Sequence, residues 1–213
     1  VNLENDGERM DIDFYRMDYG SFDACKKTHY RRYEFASSQL DGEDVVGDMA
    51  CGSGYGSVMM SRKCRKVRGY DIDGKTVEEV ARRYRGENVE FEAKNLLDID
   101  ESGVYDKIMS FETIEHFSPE ESPLLLKKFH MALKDDGRLV FSMPYDQKRC
   151  PYSVRYHKTF EIKEDTLAAM LLGLFEVEKL YYQDYETHIL KGDEGKKDFI
   201  VCVARKIVKR SPL

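Results

Sequence analysis

The sequence has no tryptophan and only five prolines and five cysteines in 213 residues. The cysteines (Cys25, Cys51, Cys64, Cys150 and Cys202) are odd in number and widely spaced, with no Cys-x-x-Cys pair. That spacing excludes a disulfide framework or a cysteine zinc site and predicts free thiols in a reducing, cytoplasmic compartment. Long hydrophobic runs are missing too: the longest, Leu167–Phe175, falls far short of the roughly 20 residues a bilayer span needs. Val1–Glu8 has neither the basic nor the apolar region of a signal peptide. Nor is there an excess of positive charge. Thirty-four basic residues against forty acidic ones leave a net charge of −6, so no whole-protein field grips a polyphosphate backbone. Membrane, secreted-scaffold, collagen-like and disordered classes are thereby excluded. One soluble globular domain spanning residues 1–213 is expected, long enough to bury a sizeable core.

What is present is alternation. From Val45 onward, short apolar runs begin near Val45, Val67, Val89, Lys107, Arg138, Phe175 and Phe199. Between most of them lie stretches of helical period, Thr76–Tyr84, Leu124–Leu133 and Glu164–Leu172. In the second of these, Leu124, Leu125, Lys128, Met131 and Ala132 are read as one helix face. Strand–helix alternation predicts an α/β fold with a mostly parallel sheet covered on both faces. The last two runs are separated only by the loop Lys191–Lys197, which predicts an antiparallel hairpin at the sheet edge. Residues 1–42 form a helical prelude, with a helix over Phe22–Leu40 stopped by Asp41-Gly42.

The sharpest motif is Val45-Val-Gly-Asp48-Met-Ala50-Cys-Gly52-Ser-Gly54-Tyr55-Gly56, a strand running into glycines at the mouth of a predicted helix. Glycines there allow positive φ and close backbone approach to a ligand. The spacing is G-x-G-x-G rather than the dinucleotide G-x-G-x-x-G, and no Gly-Lys-Ser/Thr follows. Asp48 stands four positions before Gly52, and a carboxylate beside a pyrophosphate would repel it. The next strand ends at Asp71, where an acid can accept both hydroxyls of a ribose. Together these point to a nucleoside ligand without a diphosphate.

Taken with Asn95-Leu96 and Phe111-Glu-Thr-Ile-Glu-His116-Phe, these runs resemble the class I S-adenosylmethionine-dependent methyltransferases. The resemblance implies a Rossmann-like seven-stranded sheet with the last strand antiparallel, and S-adenosyl-L-methionine as cofactor. It implies that Asp48, Gly52 and Gly54 line the methionine end, that Asp71 takes the ribose, that Asn95 and Leu96 flank the adenine, and that Ala50, Tyr55, Ile72 and Ser110 also bind the cofactor. Arg32 and Tyr33, on a prelude helix expected to cap the cofactor, are read as closing over it, with Arg32 pairing with the methionine carboxylate or else standing as a surface arginine.

Glu112, Glu115 and His116 follow the fourth strand at spacings of three and four, which predicts that they share one side of a helical turn. Two carboxylates and an imidazole can hold a divalent metal or position a general base. His157 lies beyond the fifth strand, on a loop able to return over the same edge. His29, His130 and His188 sit on charged stretches and are read as solvated. The Glu-x-x-Glu-His set with the later His157-Lys-Thr-Phe-Glu is similar to small-RNA 2′-O-methyltransferases, where it implies a magnesium-like ion. Ubiquinone-pathway O-methyltransferases share a version of it, but no amphipathic membrane-facing element is evident here. A second resemblance covers more of the chain. Gly7-Glu-Arg-Met10, Arg32-Tyr33-Glu-Phe-Ala36, Ala50–Ser57 and Ser110–Phe117 are similar to small sugar and glycan O-methyltransferases.

The leading expectation is methylation of a glycan hydroxyl, on a deoxyhexose such as rhamnose or fucose. His116 or His157 would be the base, Glu112 would assist, and Glu112, Glu115, His116 and His157 would be the ligands of any Mg²⁺ or Mn²⁺. RNA 2′-O-methylation and a non-catalytic cofactor-binding subunit stand as alternatives. The basic runs Arg62–Arg68 and Arg82–Arg85 are read as solvated faces. Lys148, Arg149 and Arg155 are the charges available near an acceptor, and Tyr145, Tyr152 and Tyr156 the rings available to stack on a sugar or a base.

Overall fold

Seven apolar runs become the strands of one sheet: β1 (Val45–Met49), β2 (Lys66–Asp71), β3 (Val89–Ala93), β4 (Tyr105–Phe111), β5 (Leu133–Pro144), β6 (Phe175–Gln183) and β7 (Phe199–Lys206). The chain is seen in a computed structural model that describes residues 10–193 and 195–208. The expectations for Val1–Glu8 and for Gly7–Arg9 of the prelude motif lie outside the described residues. Strand order is β3-β2-β1-β4-β5-β7-β6. β1 to β5 pair in parallel, and β7 enters antiparallel between β5 and β6. The expected hairpin is therefore present, with β6 rather than β7 at the edge. Both edge strands carry exposed charge, Glu90 and Glu92 on β3, Glu176, Glu178 and Lys179 on β6, which discourages edge-to-edge pairing.

The helices are α1 (Ala24–Ser38), α2 (Tyr55–Ser61), α3 (Gly74–Arg83), α4 (Ser122–Ala132) and α5 (Glu164–Leu171). Asp23 starts α1 by accepting from the Lys26 N–H at 2.8 Å, and Asp73 starts α3 by accepting from Lys75 N–H and Thr76 Oγ1, each a side-chain N-cap. Strand residues alternate between two cores. Val45, Met49, Ile108, Leu139 and Phe141 pack under α4 and α5. Val46, Val67, Met109, Phe111 and Val140 pack under α1 and α2. On α4 the buried face is Leu125, Leu126, Phe129 and Ala132. Leu124 and Met131, expected on that face, are 57% and 44% exposed. The stripe through Leu126 and Phe129 buries more apolar area, at about 1.5–3 kcal/mol per large side chain, and that fixes the helix rotation.

The described part of the prelude does more than form α1. Residues 10–14 run across the glycine turn as a strap: Ser53 Oγ donates to the Met10 carbonyl at 2.8 Å and accepts from Ile12 N–H at 3.3 Å. Phe14 N–H donates to the Tyr84 hydroxyl at 3.0 Å. All five cysteines are free thiols. Among the described residues no helix is long and apolar enough to cross a membrane.

Candidate active site

The parallel strands β1, β2 and β4 end on one side of the sheet, and a cavity of about 590 Å³ opens there. One wall is the glycine turn. Ala50, Gly52 and Gly54 have φ of +65°, +54° and +71°, so the chain leaves β1 through successive left-handed steps, at Ala50 without glycine's freedom. Gly52 N–H donates to Asp71 Oδ2 at 3.0 Å, and Asp71 Oδ1 accepts from Asp73 N–H at 3.0 Å. Asp71 thus holds the turn while its carboxylate lines the cavity. Ile72, 74% exposed, stands at the rim. Asn95 and Leu96 complete this wall, with Asn95 Oδ1 accepting from Leu97 N–H and its amide NH₂ still available to donate.

Tyr33 and Tyr55 also line the cavity, as expected from the sequence. Four expected residues do not: Asp48, Gly54, Ser110 and Arg32. Asp48 is fully buried, accepting from Tyr33 Oη at 3.1 Å and Ser57 Oγ at 2.5 Å. It pins α1 and α2 together beneath the site, and burial pushes its carboxyl up to about 7. At Gly54 a Cβ would meet the rings of Phe91 and Tyr84 at 2.9–3.2 Å, so its missing side chain admits protein rings rather than a ligand. Ser110 lies on the sheet face shared with Ile108, under α4 and α5, because strand side chains alternate. Arg32 is fully buried: Nε donates to Gln183 Oε1 at 2.9 Å, the guanidinium lies over the Phe199 ring at 4.1 Å, and Nη1 is 3.5 Å from Glu112 Oε1.

The second wall carries the acid and imidazole groups. The expected helical turn over Glu112–His116 is instead a three-residue 3₁₀ turn, Ile114–His116. Glu112 precedes it at φ +50°. That left-handed step turns Glu112 out of the cluster, toward Arg32 and Ser142 Oγ, which donates to Oε1 at 2.6 Å. The expected four-residue ligand set is accordingly reduced to three. Glu115, His116 and His157 present ligand atoms within 4.8 Å of one another. His116 Nδ1 faces the Tyr156 carbonyl at 3.1 Å, and His157 Nδ1 faces Gln147 Oε1 at 2.6 Å. A carbonyl oxygen can only accept, so each Nδ1 carries a proton, and in the neutral ring the lone pair falls to Nε2. Burial and the neighbouring His116 lower His157 to about 4, so it is uncharged at neutral pH. The loop is held over the site by the Glu115 carbonyl, which accepts from Lys158 and Thr159 N–H at 2.7 and 3.1 Å.

Several lining residues escaped the sequence reading. Cys25 and His29 join Tyr33 along α1, and the four-residue spacing that puts them on one face was visible. His130 and His188, read as solvated, are half-buried and also hydrogen-bonded, meeting the Ile207 carbonyl at 2.8 Å and Thr28 Oγ1 at 3.1 Å. Gln147, Tyr185 and Phe199 reach the cavity from distant segments, with no local signal. Of the expected acceptor-side groups Tyr152 lines the cavity, and Tyr145 lines an adjoining hollow. Lys148 is tied to Asp146 and Glu161, and Arg149 and Arg155 lie over Phe160 and Tyr156, so none of these three charges reaches the wall.

Residues 46–137 match the model of a family described as a methyltransferase domain. No curated protein matches the sequence. Among solved structures the chain is similar to the N-methyltransferase NodS of Bradyrhizobium japonicum WM9 in complex with S-adenosyl-L-homocysteine. There the TM-score is 0.68 at 14% identity, over 92% of this chain and 93% of that one. It is similar to the Burkholderia thailandensis 1,6-didemethyltoxoflavin N1-methyltransferase, bound to 1,6-didemethyltoxoflavin and S-adenosylhomocysteine, with a TM-score of 0.64 at 20% identity over 86% and 77% of the two chains. It is similar also to the [4+2]-cyclase SpnF, with a TM-score of 0.68 at 14% identity over 84% and 81%. The chain therefore has a Rossmann-like methyltransferase fold, and its residues 46–137 match a methyltransferase domain.

Proposed function

We propose that this protein is an S-adenosylmethionine-dependent O-methyltransferase acting on a sugar hydroxyl of a glycan. The observation that carries the reading is the joining, in one cavity, of a glycine-turn wall suited to a nucleoside and a wall of two imidazoles beside a carboxylate. The first wall fits the cofactor. Asp71 suits the two ribose hydroxyls, the exposed Ile72 and the buried Leu96 suit a flat base, and the Asn95 amide supplies a polar edge. When bound, S-adenosylmethionine supplies an electrophilic methyl group, and the protein's remaining work is orientation and proton acceptance.

A sugar hydroxyl attacks only as its proton leaves. In its neutral form His116 offers the Nε2 lone pair, and the nearby Glu115 carboxylate stabilises the imidazolium that proton uptake creates. The rings of Tyr152, Tyr185 and Phe199 offer faces to a pyranose. Among the described lining residues Lys158 is the one lysine or arginine, and it is ion-paired with Glu121 at 3.3 Å. That charge balance favours a neutral acceptor over RNA, the runner-up.

One observation favours a second version of the chemistry. Two oriented imidazoles and one carboxylate form a donor set for a divalent cation, with both Nδ1–H groups fixed by outer oxygens. With Glu112 turned away, this N,N,O set suits Mn²⁺ or Zn²⁺ better than Mg²⁺. Such a cation would supply Lewis acidity at the hydroxyl.

The test is methyl transfer from labelled S-adenosylmethionine to oligosaccharides, small RNAs, quinol precursors and amine acceptors, with and without chelator. Transfer to sugars is expected. His116→Ala should lower kcat by about 10²–10⁴ while cofactor affinity stays within twofold. Transfer only to RNA or to amines refutes the acceptor assignment, and indifference to chelator removes the cation.

A further inference from the structure

The geometry points to His29 as a second hydrogen-bonding contact for the acceptor, holding the hydroxyl adjacent to the one that is methylated. This rests on the sugar-hydroxyl reading above. Cys25, His29 and Tyr33 stand four residues apart on α1, so they share one helix face, and all three line the cavity. Tyr33 is committed: its hydroxyl goes to Asp48. His29 is not committed, since among the described residues none hydrogen-bonds its ring. It stands four residues before Tyr33 on α1, about 6 Å along the helix. His116 approaches from the 3₁₀ turn after β4, so two imidazoles reach the same cavity from two different elements.

Charge assigns them different tasks. A base must become a cation, and Arg32, fully buried three residues further along α1, opposes a second positive charge at His29. Burial and that guanidinium hold His29 well below the ordinary histidine range. His116 has a carboxylate nearby instead. An imidazole that stays neutral has one N–H donor and one lone pair, matching a hydroxyl that both accepts and donates. A vicinal diol, common to pyranoses, thus meets a proton acceptor at one hydroxyl and a neutral hydrogen-bonding group at the next. Such contacts discriminate sharply, because an acceptor lacking the hydroxyl leaves a polar group unpaired.

The experiment uses the full chain with methyl rhamnopyranoside, methyl fucopyranoside and oligosaccharides ending in them, alongside their monodeoxy derivatives. For the wild type, deleting one hydroxyl next to the methylated position should raise KM about tenfold. For His29→Ala, KM for the full sugar should rise by a similar factor, with kcat within threefold and the deoxy acceptor no further impaired. His29→Gln, which keeps a donor and an acceptor, should recover part of the loss. S-adenosylhomocysteine affinity within twofold of wild type certifies that the variants are folded. A fall in kcat at constant KM would make His29 the base, unchanged constants would make it wall only, and weakened cofactor binding would move it to the other half of the cavity. Each of these overturns the proposal. No transfer by the wild type to any sugar overturns the glycan reading instead, so the two failures are distinct.

Discussion

Replacing Gly56 by alanine sets two opposing effects against each other. Gly56 lies in α2 at negative φ, where alanine would normally add about 1 kcal/mol of helix stability. The added Cβ, however, would sit 2.3–2.4 Å from Cε1, Cδ1 and Cζ of Tyr33, against the 3.5–4.0 Å typical of carbon contacts. Tyr33 has little room to retreat. Its ring meets Tyr55 and Phe111 edge-on at centroid distances of 5.2 and 5.1 Å, and its hydroxyl is tied to Asp48. Overpacking of this kind costs about 1–3 kcal/mol, and displacing the Tyr33–Asp48 bond costs about 1 kcal/mol more. The clash wins, by about 2 kcal/mol net, which for a domain of this size lowers Tm by about 4–8 °C. Thermal melts of Gly56→Ala, Tyr33→Ala and the double variant test it. Alanine at 56 should stabilise by about 1 kcal/mol once the ring is gone, giving a coupling of about 3 kcal/mol between the two sites. A Gly56→Ala protein melting within 1 °C of wild type, or strict additivity, would refute the reasoning.

The remaining predictions concern the groups around that anchor. Asp48 keeps its proton up to about pH 7 when folded but loses it near pH 3.9 when unfolded. Its contribution therefore falls as pH rises from about 4 to about 7, by up to about 4 kcal/mol. Asp48→Asn should remove that slope in urea melts. The difference between the two proteins is the readout, because the depressed His157 acts with opposite sign, adding stability from about pH 4 to about 6.5; parallel curves for both proteins would exclude Asp48 as the source. Ser53→Ala deletes both bonds holding Met10 and Ile12 on the glycine turn. Limited proteolysis in the strap and S-adenosylhomocysteine dissociation should both accelerate several-fold, and unchanged rates would show that the strap is held elsewhere.

Much of this fold was legible because its signals are local. The runs at Val45, Val67 and Val89 alternate with helix-period stretches, and the loop at Lys191–Lys197 is too short for a crossover helix, so the seven strands and the final hairpin follow from pattern alone. The second wall of the site was legible as residue types, and the ends of β1, β2 and β4 did converge on one cavity. What pattern did not encode was which side of a strand or helix each functional side chain takes. Ser110 went to the face of Ile108, and Leu124 went to solvent. The glycines were the subtler case. Positive φ at Gly52 and Gly54 agrees with the motif's conformational reading, yet at Gly54 and Gly56 the absent Cβ makes space for Phe91, Tyr84 and Tyr33. A glycine-rich turn is thus partly a packing device, and spacing alone cannot separate that use from ligand approach.

Glu112 shows why the rest was illegible. Its spacing to Glu115 and His116 suits a helical face, and a helix would have placed all three together. The chain instead leaves β4 through a left-handed residue at Glu112, a conformation costing about 1–3 kcal/mol for a side chain other than glycine. What holds it there comes from far along the sequence. Ser142 of β5 contributes its carbonyl, 3.3 Å from the Glu112 N–H, and its hydroxyl, which binds the carboxylate. Arg32 of α1 contributes a fully buried guanidinium 3.5 Å from the same Oε1. A buried cation left without an anion costs more than the backbone strain, about 3–5 kcal/mol when such a pair is broken. The balance therefore favours spending Glu112 on Arg32, and Glu115, His116 and His157 are left as the chemical cluster. Neither Arg32 nor Ser142 is a neighbour of Glu112 in any local pattern, so the division of the two carboxylates between charge balance and chemistry follows only from the folded contacts.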